Sequence, residues 1–198
     1  MMDDALWALG RATGVVAMVL LTVSVVLGTV TRSGRRAVGL PRFSVTIVHR
    51  NVAILAAVFT LVHIVSLLFD PYAQLRLVDL VVPFLGKYQP FWLGLGTLGV
   101  DLLLAVMVTG LLRRFVGVRV FRVVHWFVYA MWPVAFVHGI FIGSDRGAGW
   151  FVATSIACGV VVIGAGAWRL TRGFVEHRTG RIEPRRPGRG LTRWEDAS

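Results

Sequence analysis

The sequence predicts an all-α integral membrane protein, a bundle of five transmembrane helices with its N-terminus outside and its C-terminus in the cytoplasm. Three observations lead there. Of the 198 residues 16% are charged, against about 25% in an average soluble domain. Five stretches are each long and apolar enough to cross a bilayer. The arginines fall almost entirely into alternate connections between those stretches.

The first stretch, Ala12 to Thr31, contains no charge. It follows an acidic start, Met1-Met2-Asp3-Asp4, where a secretory signal needs a basic one, so it is read as a retained span. The second, Phe43 to Phe69, contains only Arg50. The longest connection, Asp70 to about Tyr88, comes next. Its Leu77, Val78, Leu80, Val81, Phe84 and Leu85 are too apolar for a solvated loop, and Pro83 and Pro90 bar a long helix. It is expected to fold over the outer helix ends, as a surface spacer or as a lid, with Tyr88, Phe91 and Trp92 in the interfacial aromatic belt. The third stretch, Tyr88 to Leu112, contains only Asp101; the fourth, Val123 to Ser144, and the fifth, Gly147 to Trp168, contain no charge. Runs this long and uniformly apolar are helices rather than barrel strands.

Arg32, Arg35, Arg36 and Arg42 lie between the first two spans, and Arg113, Arg114, Arg119 and Arg122 between the third and fourth. Eight more arginines follow the last span, from Arg169 to Arg193, whereas the opposite loops hold only Arg76, Lys87 and Arg146. The positive-inside bias then sets the orientation. It also accounts for the net charge of +11, so nucleic acid is not an expected partner. The tail from Arg169, rich in Arg, Gly and Pro, is expected to be poorly ordered; Arg169 and Arg172 are placed to meet anionic headgroups, and His177 to be solvated. Cys158, the single cysteine, is expected to pack as a small apolar group.

The histidines carry the chemistry. His49 and His63 have thirteen residues between them on the second span; His125 and His138 have twelve between them on the fourth. Imidazoles in hydrocarbon need partners, and each is a candidate functional residue. Both spans run outward, so His49 and His125 share an inner level and His63 and His138 an outer one. About 20 Å along each helix separates the levels, too far for one metal ion held by all four. A haem takes one axial ligand on each face, so two haems, each between paired histidines, fit the pattern. No Cys-x-x-Cys-His is present, which makes any haem non-covalent. With both axial positions filled, the task is outer-sphere electron transfer. One difficulty is angular. Fourteen residues return a straight helix to within ~40° of its starting face, but thirteen leave ~140° of mismatch on the fourth span. A kink at Pro133, or helix crossing, are the two ways out.

In these spacings the chain resembles the ferric reductase-like transmembrane domain, shared by ferric reductases, NADPH oxidases and the haem-binding subunit of a bacterial sulfoxide reductase. His49-Arg50 is similar to that family's His-basic dipeptide, and Arg11-Ala12-Thr13-Gly14 to its Arg-Ala-x-small stretch. The resemblance runs from Arg11 to about Trp168. It implies a haem-binding transmembrane domain over 1–168, a basic tail over 169–198, and two b-type haems with His49–His125 and His63–His138 as axial pairs. It further implies that Arg11 lies near the outer haem. Arg11 and Arg50 are candidate partners of the haem propionates, outer and inner respectively; snorkelling to the interface is the plainer alternative for both. Asp101 is expected to hydrogen-bond a neighbouring helix, with proton uptake as the alternative.

The departures also inform. Some thirty residues follow the last span, with no Gly-x-Gly-x-x-Gly, so no flavin and nicotinamide domain is expected within this stretch. Leu67 stands where oxidases place a second outer histidine. The expected function is a plasma-membrane cytochrome b that takes electrons from a separate cytosolic flavoprotein or from quinol. It would deliver them to an outer acceptor, an extracytoplasmic reductase partner among them; flavin or quinone would then bind on the cytoplasmic side. A cytochrome b561-like carrier fed by quinol or ascorbate is the alternative, and a haem carrier or a proton pathway the third.

Overall fold

The structure, a computed structural model, describes residues 2–33, 41–71, 73 and 75–171, without the side chains of residues 2, 3 and 42. Arg35, Arg36, His177 and the tail from residue 172 lie outside the described residues. Among the described residues every regular element is helical, and five helical stretches are long and apolar enough to cross a membrane. With the family match reported below, the chain is a multi-pass integral membrane protein.

Helix α1, Met2–Ser33, is about 48 Å long at 1.5 Å per residue, so it outreaches a hydrocarbon core of about 30 Å. One of its faces presents small residues: Gly10, Gly14, Ala17, Ser24 and Gly28. Against it lies α2, Arg42–Leu68, in the most extensive helix contact of the bundle. Without a hydrophobic drive inside lipid, such close packing depends on small residues that let backbones approach. Hydroxyls buried in α1 are satisfied within the helix: Thr13 donates to the Leu9 carbonyl at 2.6 Å, and Thr29 to that of Val25 at 3.0 Å.

Helix α3, Pro90–Leu111, begins with proline at its first position, where the missing N–H has no helical partner to lose. It packs on α5, Val128–Ile142, and on α4, Arg113–Trp126. Helix α6, Gly149–Leu170, closes against α1. In the fourth span α4 and α5 meet at Phe127, whose backbone stays right-handed helical (φ −63°, ψ −13°), so His125 and His138 lie on one nearly continuous helical run with Pro133 inside α5. The backbone leaves helical geometry earlier, at Gly117 (φ 80°, ψ 159°), ahead of both histidines.

A dry cluster occupies the middle of the bundle: Met18, Leu21 and Val25 of α1, Ala56 of α2, Met131 and Trp132 of α5, and Cys158 of α6. Trp132 Nε1 donates to Thr22 Oγ1 at 3.0 Å, which in turn donates to the Met18 carbonyl at 2.9 Å. Cys158 packs there as a small apolar group, buried and unpaired. Asp101 is half-buried on α3, and among the described residues its carboxylate has no hydrogen-bond partner.

Candidate cofactor-binding site

Two levels of paired histidines flank that cluster. At one level His63 of α2 and His138 of α5 line a cavity of about 420 Å³, within the usual range for a ligand site. Both rings are fixed by the backbone of a neighbouring helix. His63 Nδ1 lies 2.7 Å from the Gly10 carbonyl and His138 Nδ1 lies 2.8 Å from the Trp92 carbonyl. A carbonyl can only accept, so each Nδ1 carries the proton and each Nε2 keeps a lone pair. This is the arrangement by which metal-ligating histidines are oriented and made more basic.

At the other level the rings of His49 and His125 stand 6.3 Å apart, with planes at 86°. Two metal–nitrogen bonds of about 2 Å each and the half-widths of the rings add to about 6 Å, a span close to this separation. Their polar support is thinner. Ser24 Oγ is 3.5 Å from His49 Nδ1, and His125 Nδ1 is buried with no hydrogen-bond partner. Among the described residues no three His, Cys, Asp or Glu side chains converge, and each level is a two-histidine site.

Glycines set the rings in place. A Cβ at Gly14 would stand 2.9 Å from His63 Nδ1, and one at Gly28 would stand 3.3 Å from His49 Cε1. At Gly96 of α3 it would overlap the His138 ring. Gly14 and Gly28 are fourteen residues apart on α1, as are His49 and His63 on α2. The helices run antiparallel, so each glycine meets one histidine. That matched spacing on adjacent spans was the signal available in the sequence, and it was not read.

Arg11 lines the cavity from α1. Its Nε donates to Asp145 Oδ2 at 2.6 Å, the two side chains form an ion pair, and the guanidinium lies 3.9 Å from the centre of the Trp7 ring. Asp145, in the turn between α5 and α6, is a neighbour that sequence reading had not connected to Arg11. Arg50, one residue past His49, is exposed. Leu67 also lines the cavity.

The segment between α2 and α3 lines part of the cavity through Asp70, Ala73, Leu75, Asp79, Leu80 and Tyr88. A short 3₁₀ turn, Leu77–Leu80, anchors it: Thr97 of α3 donates to the Asp79 carbonyl at 2.6 Å. Arg76 holds the Asp79 carboxylate at 2.7 Å, and this guanidinium keeps the Asp79 carboxyl below the usual carboxylate range. Phe84, at φ 70°, packs on Gly94 and stacks near Phe91.

A pH prediction follows. Because the folded carboxyl is the stronger acid, the pair's contribution is complete above the unfolded value of about 4 and is lost as pH falls through the lower folded value. Amide protection factors over residues 75–85, with the intrinsic pH dependence of exchange divided out, are expected to stay level from pH 8 to pH 5 and to fall below about 4, with Asp79→Asn lower from the start. Protection that ignores both the substitution and the acid range would contradict this.

Residues 13–136 match the family model of the ferric reductase like transmembrane component, and the chain belongs to that family. The matched stretch contains His49, His63 and His125 and ends two residues before His138. No curated relative and no solved structure matches the chain. Family membership and the membrane bundle support a membrane electron-transfer or reductase-like role.

Proposed function

We propose that the chain is a membrane cytochrome b that carries electrons across the bilayer through two non-covalent b-type haems. His49 and His125 would hold one, and His63 and His138 the other. The observation that carries this reading is the tautomer of His63 and His138. Both Nδ1 protons are taken by carbonyls, so both Nε2 atoms are left as ligands beside one cavity. The ring separation at the second level points the same way.

A bis-histidine haem supplies reversible one-electron chemistry with no open coordination site. The protein's part is to hold and insulate. The carbonyls of Gly10 and Trp92 fix two imidazoles in one tautomer, so neither ring has to move or change its proton when charge arrives. Gly14, Gly28 and Gly96 let three of the rings come close to neighbouring backbone. Asp79 and Leu80 of the 3₁₀ turn line the cavity at the His63/His138 level, and Arg76 holds Asp79 in place.

The arginine bias supports a cytoplasmic Arg113–Arg122 side, with the segment between α2 and α3 outside. Electrons then enter at His49/His125 from a separate flavoprotein or from quinol and leave at His63/His138 for an outer acceptor. Arg11 remains a candidate partner of an outer propionate, sharing its donors with Asp145; a guanidinium has five N–H groups, enough for two acidic neighbours. Arg50 is a candidate for the inner one, from an exposed position.

The test is a reduced-minus-oxidised spectrum of the purified protein, with haem counted against protein. Two non-covalent b-type haems per chain are expected. A preparation that folds and carries none ends the proposal.

A further inference from the structure

Among the described residues, one acid stands in mid-span without a partner. Asp101 is the twelfth of the twenty-two residues of α3, about 16 Å from either end at 1.5 Å per residue. The other acidic side chains described are engaged: Asp79 with Arg76, Asp145 with Arg11, and Asp4 and Asp70 with partners of their own. The direction of Asp101 follows from its neighbours. Gly96, Val100 and Leu103 line the cavity, while Gly99 and Gly110 turn to Ala135 of α5 and Phe121 of α4. Asp101 continues instead into Leu104, Ala105 and Val108, at the i+3, i+4 and i+7 positions, all three exposed. Since α3 packs mainly on α5 and α4, this stripe faces lipid.

A carboxylate turned to hydrocarbon loses its hydration, and acids in such places pair with groups on other helices. A lysine or arginine would restore both charge balance and hydrogen bonds. This chain offers none at that depth. Gly96, against the His138 ring, is five residues from Asp101, about 8 Å along the helix. Arg11 is bound to Asp145 beyond the His63/His138 level, and Arg50 adjoins His49 at the other level; each differs from Asp101 by about 12 Å in depth. A second copy, inserted with the same orientation, would therefore bring acid to acid. Ala105, one turn from Asp101, leaves room for a foreign backbone to come close, as polar contacts between spans require. We propose that the face of α3 formed by Asp101, Leu104, Ala105 and Val108 docks a transmembrane helix of another protein, one that presents a lysine or arginine near its midpoint. This surface is separate from the four histidines and independent of the haem reading.

The experiment reconstitutes the full chain in phospholipid vesicles with a labelled single-pass poly-leucine helix that carries either lysine or leucine at its midpoint. Energy transfer between the two reads their association. Wild type should hold the lysine helix about five- to thirty-fold more tightly than the all-leucine one, the equivalent of one polar contact between spans. Asp101→Leu should abolish that preference. Ala105→Phe keeps the carboxylate but blocks close approach, so it should weaken binding several-fold; Ala153→Phe, on the exposed face of α6, should leave it intact. Equal binding of the two helices by wild type overturns the docking face, as does a preference that survives both Asp101→Leu and Ala105→Phe. Energy transfer between two labelled copies of the chain that disappears in Asp101→Leu would assign the face to self-association and overturn the foreign partner.

Discussion

Replacing His63 or His138 by alanine is expected to remove one haem of the two and about half of the reduced α-band, because each iron needs both of its axial imidazoles. The haem at His49/His125 should remain, with its own midpoint, since the dry cluster around Met18, Ala56 and Trp132 stands between the levels. His49→Ala and His125→Ala should give the complementary loss. The pairing is the content of the prediction. The two single variants of one level should give the same spectrum, and the double variant of that level should do no further harm. Combining His63→Ala with His138→Ala and losing both haems would show that the pairs are assigned wrongly.

The second large effect is expected from residues that carry no chemistry. Alanine at Gly96 puts a methyl into the space of the His138 ring, and at Gly14 it comes to 2.9 Å from His63 Nδ1. Something must yield, and the ring is the only mobile partner in either contact. Overpacking of this kind costs about 1–3 kcal/mol, and a ring displaced from its carbonyl also loses its fixed tautomer. Gly96→Ala and Gly14→Ala should therefore lower haem retained after detergent washing at the His63/His138 level. Gly28→Ala, with 3.3 Å to His49 Cε1, should weaken the other level far less. A series in which all three variants hold haem as wild type does would mean that the glycines merely pack helices.

Much of this arrangement was legible in the sequence, because it is written in hydropathy and spacing. The five spans, the lid-like apolar loop and the four histidines at two depths are local or periodic features. The remainder depends on which helix faces which. Arg11 meets Asp145 across 134 positions, and Trp132 meets Thr22 across 110. No single-span pattern signals such contacts. The non-helical backbone at Gly117 was hidden for a different reason: Pro133 was the conspicuous residue of that stretch. Arg32 and Arg169 looked like ordinary topology-setting charges, and only their turn onto Trp126 separates them from the exposed arginines. Among the described residues the expected helix-to-helix hydrogen bond of Asp101 is not formed.

The cluster of Met18, Leu21, Val25, Ala56, Met131, Trp132 and Cys158 has one more consequence. Its single polar chain, from Trp132 through Thr22 to the Met18 carbonyl, is closed on itself and offers no onward relay. On the two-haem proposal, electrons would cross this apolar layer by tunnelling while hydrated ions would not. Turnover would then be electrogenic, with each reducing equivalent leaving its counter-ion behind, and sealed vesicles should slow to a halt until an ionophore collapses the voltage.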